Sequence, residues 1–278
     1  MTENIQKTKI YVGLGVLSLT IGIVLFGYIN ARSYVVKTME LVVPKKAGTR
    51  SSLNIVLASD LHLGTIIGTK RLKSIVETVN ALNPDIILFA GDVVDEDVGP
   101  LIKQNGGEIL EQFKSAYGTY AITGNHEFIG GVEKACAYLQ KHGIRELRDS
   151  SLLIDNSFYL IGREDRSIRQ FNGQRRKPLE QLVAGLDTTK PMIMMDHQPF
   201  GLDEAGANGI DLQLSGHTHH GQLFPFNLIT KKVYELSWGY LKKNNTHFYV
   251  SSGLGTWGPP MRIGNTPEIV QIKLSFLQ

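Results

Sequence analysis

The chain is 278 residues long, with 42% hydrophobic and 20% charged residues, 29 Gly and 10 Pro, which excludes a disordered chain and leaves room for one large core or two smaller ones. Its formal charge of +3 sits in residues 1–37, where Lys7, Lys9, Arg32 and Lys37 face Glu3, and residues 38–278 balance 25 basic against 25 acidic groups. Binding of nucleic acid by bulk phosphate neutralisation is therefore disfavoured, and no stable nucleic-acid partner is expected. A single cysteine, Cys136, excludes an intrachain disulfide and a thiolate cage for a metal.

In chain order, residues 1–9 read as an N-terminal tail. Residues 10–29 (IYVGLGVLSLTIGIVLFGYI) carry no charge, and twenty residues at about 1.5 Å each suffice to cross a ~30 Å hydrocarbon layer. The run exceeds the apolar stretch of a signal peptide, and Ile29 stands where cleavage wants a small residue, so the segment reads as a retained single-pass membrane anchor. Lys7 and Lys9 before it and Arg32, Lys37, Lys45 and Lys46 after it leave the side of the membrane open. Residues 30–52 read as a tether with an edge strand, and residues 53–278 as one folded domain.

Within that domain, strand-like apolar runs fall at 54–59, 85–90, 119–123, 151–155, 158–162, 191–195, 211–215, 247–251 and 268–274, and amphipathic helix-length stretches at 69–82, 107–115, 132–142 and 177–185. Strands alternating with helices early and strand-rich sequence late predict an α/β (α+β) domain with sheets inside and helices outside.

Polar side chains collect where those runs end. Asp60 and His62 follow the first, Asp92 the second, Asn125, His126 and Glu127 the third, His197 the sixth, and His217 and His219 the seventh. A lone Asp or His after a strand is usually a turn residue or a satisfied side chain, but five coincident turns at the same strand ends predict a shared site. Asp, Asn and His without Cys suit Mn, Fe, Zn or a similar borderline metal. One zinc needs three or four ligands, and at least seven candidates accumulate, so two divalent ions are expected. Asp60 and His62 are read as leaving one side of an extended segment to grip one ion, with His217 and His219 repeating the arrangement and Asp92 bridging. Gly91, Gly124 and Gly216 are read as turning the backbone beside the ligands.

The blocks Asp60-x-His62, Gly91-Asp92-x-x-Asp95, Gly124-Asn125-His126-Glu127, His197 and Gly216-His217-x-His219 resemble, in order, the five motifs of the calcineurin-like metallophosphoesterases. The anchor, Ser59-Asp-Leu-His-Leu-Gly64, the run from Gly216 to Gln222 and the run from Thr256 to Gly264 resemble the membrane-associated, YkuE-like bacterial phosphohydrolase branch. His220 departs from the pattern, standing where Gly is expected, and is read as an ordinary exposed side chain.

The resemblance implies a four-layer metallophosphoesterase sandwich of two mixed β-sheets flanked by helices, and a metal-dependent hydrolase. Asp60, His62 and His219 would hold one ion, Asn125, His197 and His217 the second, and Asp92 would bridge both. A hydroxide bridging the ions would attack a phosphomonoester or phosphodiester. His126 would protonate the leaving oxygen, with Asp95 orienting it. The substrate, one version being a lipid-linked pyrophosphate such as UDP-diacylglucosamine, would lie near the bilayer. The alternative is a non-catalytic metal-binding scaffold or sensor on the same fold. Glu127 is read as capping the helix near Val132 or as bonding a ligand histidine, and Arg262 as a phosphate or substrate contact, as is Gln222, or else as a solvated or ion-paired side chain. Residues 223–229 are read as core packing, or else as an apolar rim for a lipid-like substrate or a segment dipping into the membrane.

Overall fold

The computed structural model describes residues 2–277; Met1 and Gln278, the outer ends of the expected tail and domain, lie outside the described residues. Among the described residues, twelve strands build two six-stranded mixed sheets. The first orders β1 (Val35–Lys46), β12 (Glu268–Leu277), β2 (Ser52–Ala58), β3 (Ile86–Phe89), β4 (Thr119–Ala121) and β5 (Ile144–Glu146). The second orders β10 (Gly239–Lys243), β11 (Thr246–Val250), β9 (Leu212–Ser215), β8 (Met192–Met195), β7 (Phe158–Gly162) and β6 (Ser150–Ile154). β2 through β5 run parallel, as do β7, β8, β9 and β11, while β12–β2, β6–β7 and β10–β11 are antiparallel.

Alternation along the strands decides the layers. In β2, Ile55 and Leu57 face the core between the sheets, where Leu88, Leu160, Ile193, Met195, Leu214 and Tyr249 meet them. Val56 and Ala58 point the other way, under Leu72, Ile75, Val76 and Val79 of the helix Thr69–Ala81. On the outer face of the second sheet, Ile161, Met192 and Met194 are covered by Leu179, Leu182 and Leu202. Helix, sheet, sheet and helix thus form four layers, the fold the sequence resemblance implied. The four residues of β3 and of β8 are all buried, because a parallel strand covered on both faces has no solvent side.

The N-terminal helix runs Thr2–Asn30, through most of the residues read as a tail, and is long and apolar enough to cross a membrane. Its side chains from Ile10 to Phe26 are exposed. Its last turn docks on the domain: Gly27 and, just after the helix, Ala31 are buried, and a Cβ at Gly27 would come within 3.1 Å of Ile263. β1 then pairs in parallel with β12 as the outer strand of the first sheet. The sequence runs missed β5 and β10, and helices such as Asn125–Gly130 and Asn227–Val233, all too short for a periodic pattern to emerge.

A candidate di-metal centre

The parallel strands set the site. Asp60, Asp92 and Asn125 lie just past the carboxyl ends of neighbouring β2, β3 and β4, and His197 and His217 just past those of neighbouring β8 and β9. Backbone bonds lock the loops together: Asp60 N–H donates to Gly91 O, His62 N–H to Asp92 O and Gly216 N–H to His197 O, each at 3.0 Å.

All seven side chains expected as ligands are brought into one region, with His126 and Asp95 beside them. Asp60, His62 and His219 form one group, and Asp92, His197 and His217 a second. In the first, His62 Nε2 lies 3.0 Å from His219 Nε2, and His219 Nε2 lies 3.4 Å from Asp60 Oδ1. In the second, His197 Nε2 lies 3.1 Å from Asp92 Oδ2, and His217 Nδ1 lies 2.8 Å from Asn125 Oδ1. Asp92 Oδ2 is also 3.9 Å from His62 Nε2, so this carboxylate stands between the groups.

Two local readings need correction. Asp60 (φ 51°), His62 (φ 48°), Asp92 (φ 51°), His217 (φ 71°) and His219 (φ 45°) all sit in the left-handed region, so neither His-containing pair leaves an extended segment. His217 and His219 accordingly point into different groups instead of gripping one ion. Non-glycine residues enter this region at a cost, and five of them side by side mark backbone held by its surroundings for the position of its side chains. Of the three glycines, only Gly91 has positive φ; Gly124 and Gly216 are needed for closeness, because a Cβ on them would collide with the Asp92 and Asp60 carboxylates respectively.

The donor set has the chemistry of a metal site. His197 Nδ1 donates to Ala90 O at 2.7 Å, which turns Nε2 toward the Asp92 carboxylate. His197 Nε2 and Asp60 Oδ2 are buried without hydrogen-bond partners. Buried polar atoms left unpaired are costly, and two imidazole nitrogens converging with carboxylates on one point form an oxygen and nitrogen nest without sulfur. The residues fit a pair of divalent ions.

Charge follows the same plan. Burial alone would raise the Asp92 carboxyl, but His197, His62 and His126 hold it well below the usual carboxylate range. Asp95 Oδ1 lies 3.1 Å from His126 Nδ1 and 3.2 Å from His62 Nδ1, so one oxygen serves both rings; against the effect of burial it raises the proton affinity of His126. That second partnership with His62 was not visible in the motif.

Three further residues are not where the sequence suggested. Glu127 neither caps the helix at Val132 nor bonds a histidine. Its buried carboxylate accepts from the N–H groups of Gly124 (2.7 Å), Asp92 (3.1 Å) and Val94 (2.9 Å), tying two site loops together. Burial and the neighbouring charge of Asp92 raise it to about 7. His220 is buried against Trp238, at 5.0 Å between ring centroids. Arg262, 0% exposed, donates to the carbonyls of Ser252 (2.6 Å), Gly253 (3.2 Å) and Gly255 (2.6 Å) and to Asn265 Oδ1 (2.8 Å), and its Nη2 approaches His219 Nδ1 at 3.0 Å. Its own backbone N–H donates to Gly27 O, at the end of the N-terminal helix.

Beside the polar residues opens a cleft of about 550 Å³. One wall carries Asp92, Asn125, His126, His217 and His219; the other is Phe226, Ile229, Tyr234 and Trp257.

The model of the calcineurin-like phosphoesterases matches residues 53–221, and the chain belongs to that family. Among its relatives, a transmembrane protein with metallophosphoesterase domain from Danio rerio is 35% identical over 270 residues, 93% of this chain and 61% of the relative. The uncharacterized metallophosphoesterase YkuE of Bacillus subtilis is 31% identical, covering 79% of this chain and 78% of that protein. The chain spans about three fifths of the zebrafish relative and 64% of a Bos taurus protein of the same description. Among solved structures, a putative 5'-nucleotidase from Staphylococcus aureus superposes with a TM-score of 0.50 at 14% identity, over 79% of this chain and 54% of that one, a likeness of fold.

Proposed function

We propose that the chain is a membrane-anchored, metal-dependent phosphoester hydrolase with a two-ion centre. The observation that carries this reading is the convergence of Asp60, His62 and His219 with Asp92, His197 and His217 about the shared Asp92 carboxylate. Asp60, His62 and His219 would hold one ion, Asn125, His197 and His217 the other, and Asp92 both. When bound, such a pair supplies an acidified water and neutralises phosphoryl charge during in-line attack.

The chain's own residues do the rest. Glu127 fixes the backbone on either side of Asp92, so the bridging carboxylate keeps its place. His126 donates through its backbone to Asp92 Oδ1 at 2.9 Å and keeps its ring on the cleft wall. There it would hand a proton to the departing oxygen, a transfer worth roughly 10²–10⁴ in rate, while Asp95 holds the Nδ1 side of the ring. The N-terminal helix would tether this centre to a bilayer. The apolar wall of Phe226, Ile229 and Trp257 favours, as the finer reading, a phosphoester attached to a lipid over a small hydrophilic ester.

The test uses the full chain in detergent or vesicles. Metal analysis should give about two ions per chain, and bis-p-nitrophenyl phosphate or p-nitrophenyl phosphate should be hydrolysed, with activity lost on chelation and restored by Mn, Fe or Zn. Metal-replete protein inert toward monoesters, diesters and lipid-linked pyrophosphates would replace the hydrolase with a metal-binding scaffold.

A further inference from the structure

The helix Asn227–Val233 has no buried residue, yet it stands next to the cleft. Phe224 (59% exposed), Phe226, Leu228, Ile229 (57%) and Val233 give a run of exposed apolar side chains, and exposed Trp257 joins Phe226 and Ile229 on the apolar wall of the cleft. Such a patch on a folded domain calls for a covering partner. It is not a loose flap. Phe224 N–H donates to Ile263 O at 2.8 Å, and Gln222 Nε2 donates to Trp257 O at 2.9 Å while its Oε1 accepts from Trp257 N–H at 3.1 Å.

Its relation to the N-terminal helix identifies the partner. Phe224 and Ile263 face Ser18, Gly22, Ile23 and Phe26 across one shallow cavity. If the uncharged run ending at Ile29 fills the hydrocarbon layer, those helix residues lie about 5–16 Å below its edge, at about 1.5 Å of rise per residue. Phe224 is then at hydrocarbon depth. The orientation is fixed by more than packing: besides the Arg262–Gly27 backbone bond, Asn30 Nδ2 donates to Arg262 O (3.0 Å) and Asn265 O (2.6 Å), and Arg71 Nη1 donates to Ala31 O (2.6 Å). Around the helix end a second cavity, of about 580 Å³, is lined by Arg32, Lys70 and Arg71 and by no carboxylate. Exposed Lys231 and Lys232 lie on the apolar helix itself.

We propose that residues 223–234 form a bilayer-docking surface that enters the leaflet beside the anchor, with Arg32, Lys70 and Arg71 at the level of anionic headgroups. Apolar side chains on one element with lysines beside them are the composition of an interfacial helix. The cleft then opens at the lipid surface and not into bulk water. The inference rests on the anchor reading of the N-terminal helix and is independent of whether the centre turns over.

Full-length protein with Cys136→Ala and a single spin label at Phe224→Cys, Leu228→Cys or Ala207→Cys, in phosphatidylcholine vesicles with or without phosphatidylglycerol, tests it. Ala207 is exposed near Gly209, whose carbonyl meets Lys45 at the far end of β1, so it reports water. The expected ratio of oxygen to nickel-chelate accessibility at 224 and 228 is at least ~5-fold above that at 207, and higher with phosphatidylglycerol present. Equal ratios at the three sites overturn the docking surface, and equal ratios in the two lipids overturn the headgroup assignment. Mutual broadening of labels at 224 with low oxygen access would put a second copy of the chain there, which also overturns it. Hydrolysis of bis-p-nitrophenyl phosphate by the Phe224→Cys protein separates the two readings. Immersed labels on metal-replete protein that is also inert toward monoesters and lipid-linked pyrophosphates leave the surface standing and remove the hydrolase; turnover with water-exposed labels does the reverse.

Discussion

The two walls of the cleft are built on opposite plans. At the polar wall and beneath it, Asp60, His62, Asp92, His197 and His219 are buried, five ligand candidates hold left-handed backbone, and backbone bonds join the loops of Asp60 and Asp92 and those of His197 and His217. On the apolar wall, the helix Asn227–Val233 exposes its large side chains and buries none. A centre that must hold cations within tenths of an ångström is placed on strand ends and over-determined, whereas a surface meeting a fluid partner needs only composition and position.

The sharpest way to break this contrast is Asp92→Ala. If the polar wall is one cooperative unit, the variant loses bound metal from both groups and at least ~10²-fold in diester hydrolysis, beyond the loss seen for residues that only support metal ligands. Metal analysis showing one tightly held ion would mean that the two groups are independent. His126→Ala should follow, with a fall of roughly 10²–10⁴ in kcat toward esters with poor leaving groups and a smaller fall toward p-nitrophenolate, while the metal content stays unchanged. Equal loss of metal would place His126 among the ligands.

At the end of β5 lies Glu146, whose Oε2 is buried without a partner. Burial, with the charges of Glu127 and Glu164 nearby, raises its carboxyl to about 8 from an ordinary 4.5. A carboxyl raised in the folded state stabilises fully below the unfolded value and loses that contribution as pH climbs through the folded one. Stability should therefore decline between about pH 4.5 and pH 8, and Glu146→Gln should raise Tm at pH 9 and leave it unchanged at pH 4. A gain of equal size at both pH values would show that the acid is not titrating.

The smallest effect belongs to the other wall. Leu228→Ser should change the unfolding free energy by no more than about 0.5 kcal/mol, because an exposed side chain gives up little on removal. A loss of about 2 kcal/mol in thermal or denaturant unfolding would show that the helix packs against protein after all.

The polar wall was legible because its chemistry is local. Asp60-x-His62, Asp92-x-x-Asp95, Asn125-His126 and His217-x-His219 each place rare residue types at a strand end, and a strand end is visible as a change from apolar run to turn. Glu127, Arg262 and His220 were not legible. A glutamate tying Asp92 to Gly124, or an arginine buried among carbonyls 43 positions from the histidine it approaches, leaves no mark in spacing. β5 and β10 were missed for a related reason, since strands of three to five residues borrow their stability from neighbours and carry too little pattern of their own.

Alone, the sequence determined the apolar run of residues 10–29, the succession of strand-like and helix-length stretches, and the inventory of oxygen and nitrogen ligands, because those properties reside in side-chain chemistry and in periods of two or of about 3.6 residues. Tertiary structure decided which histidine joins which group, which of the apolar stretches is core and which is surface, and that the end of the N-terminal helix is bonded to the loop of Arg262. Those outcomes depend on directions and distances between segments far apart in the chain, and a linear pattern holds neither.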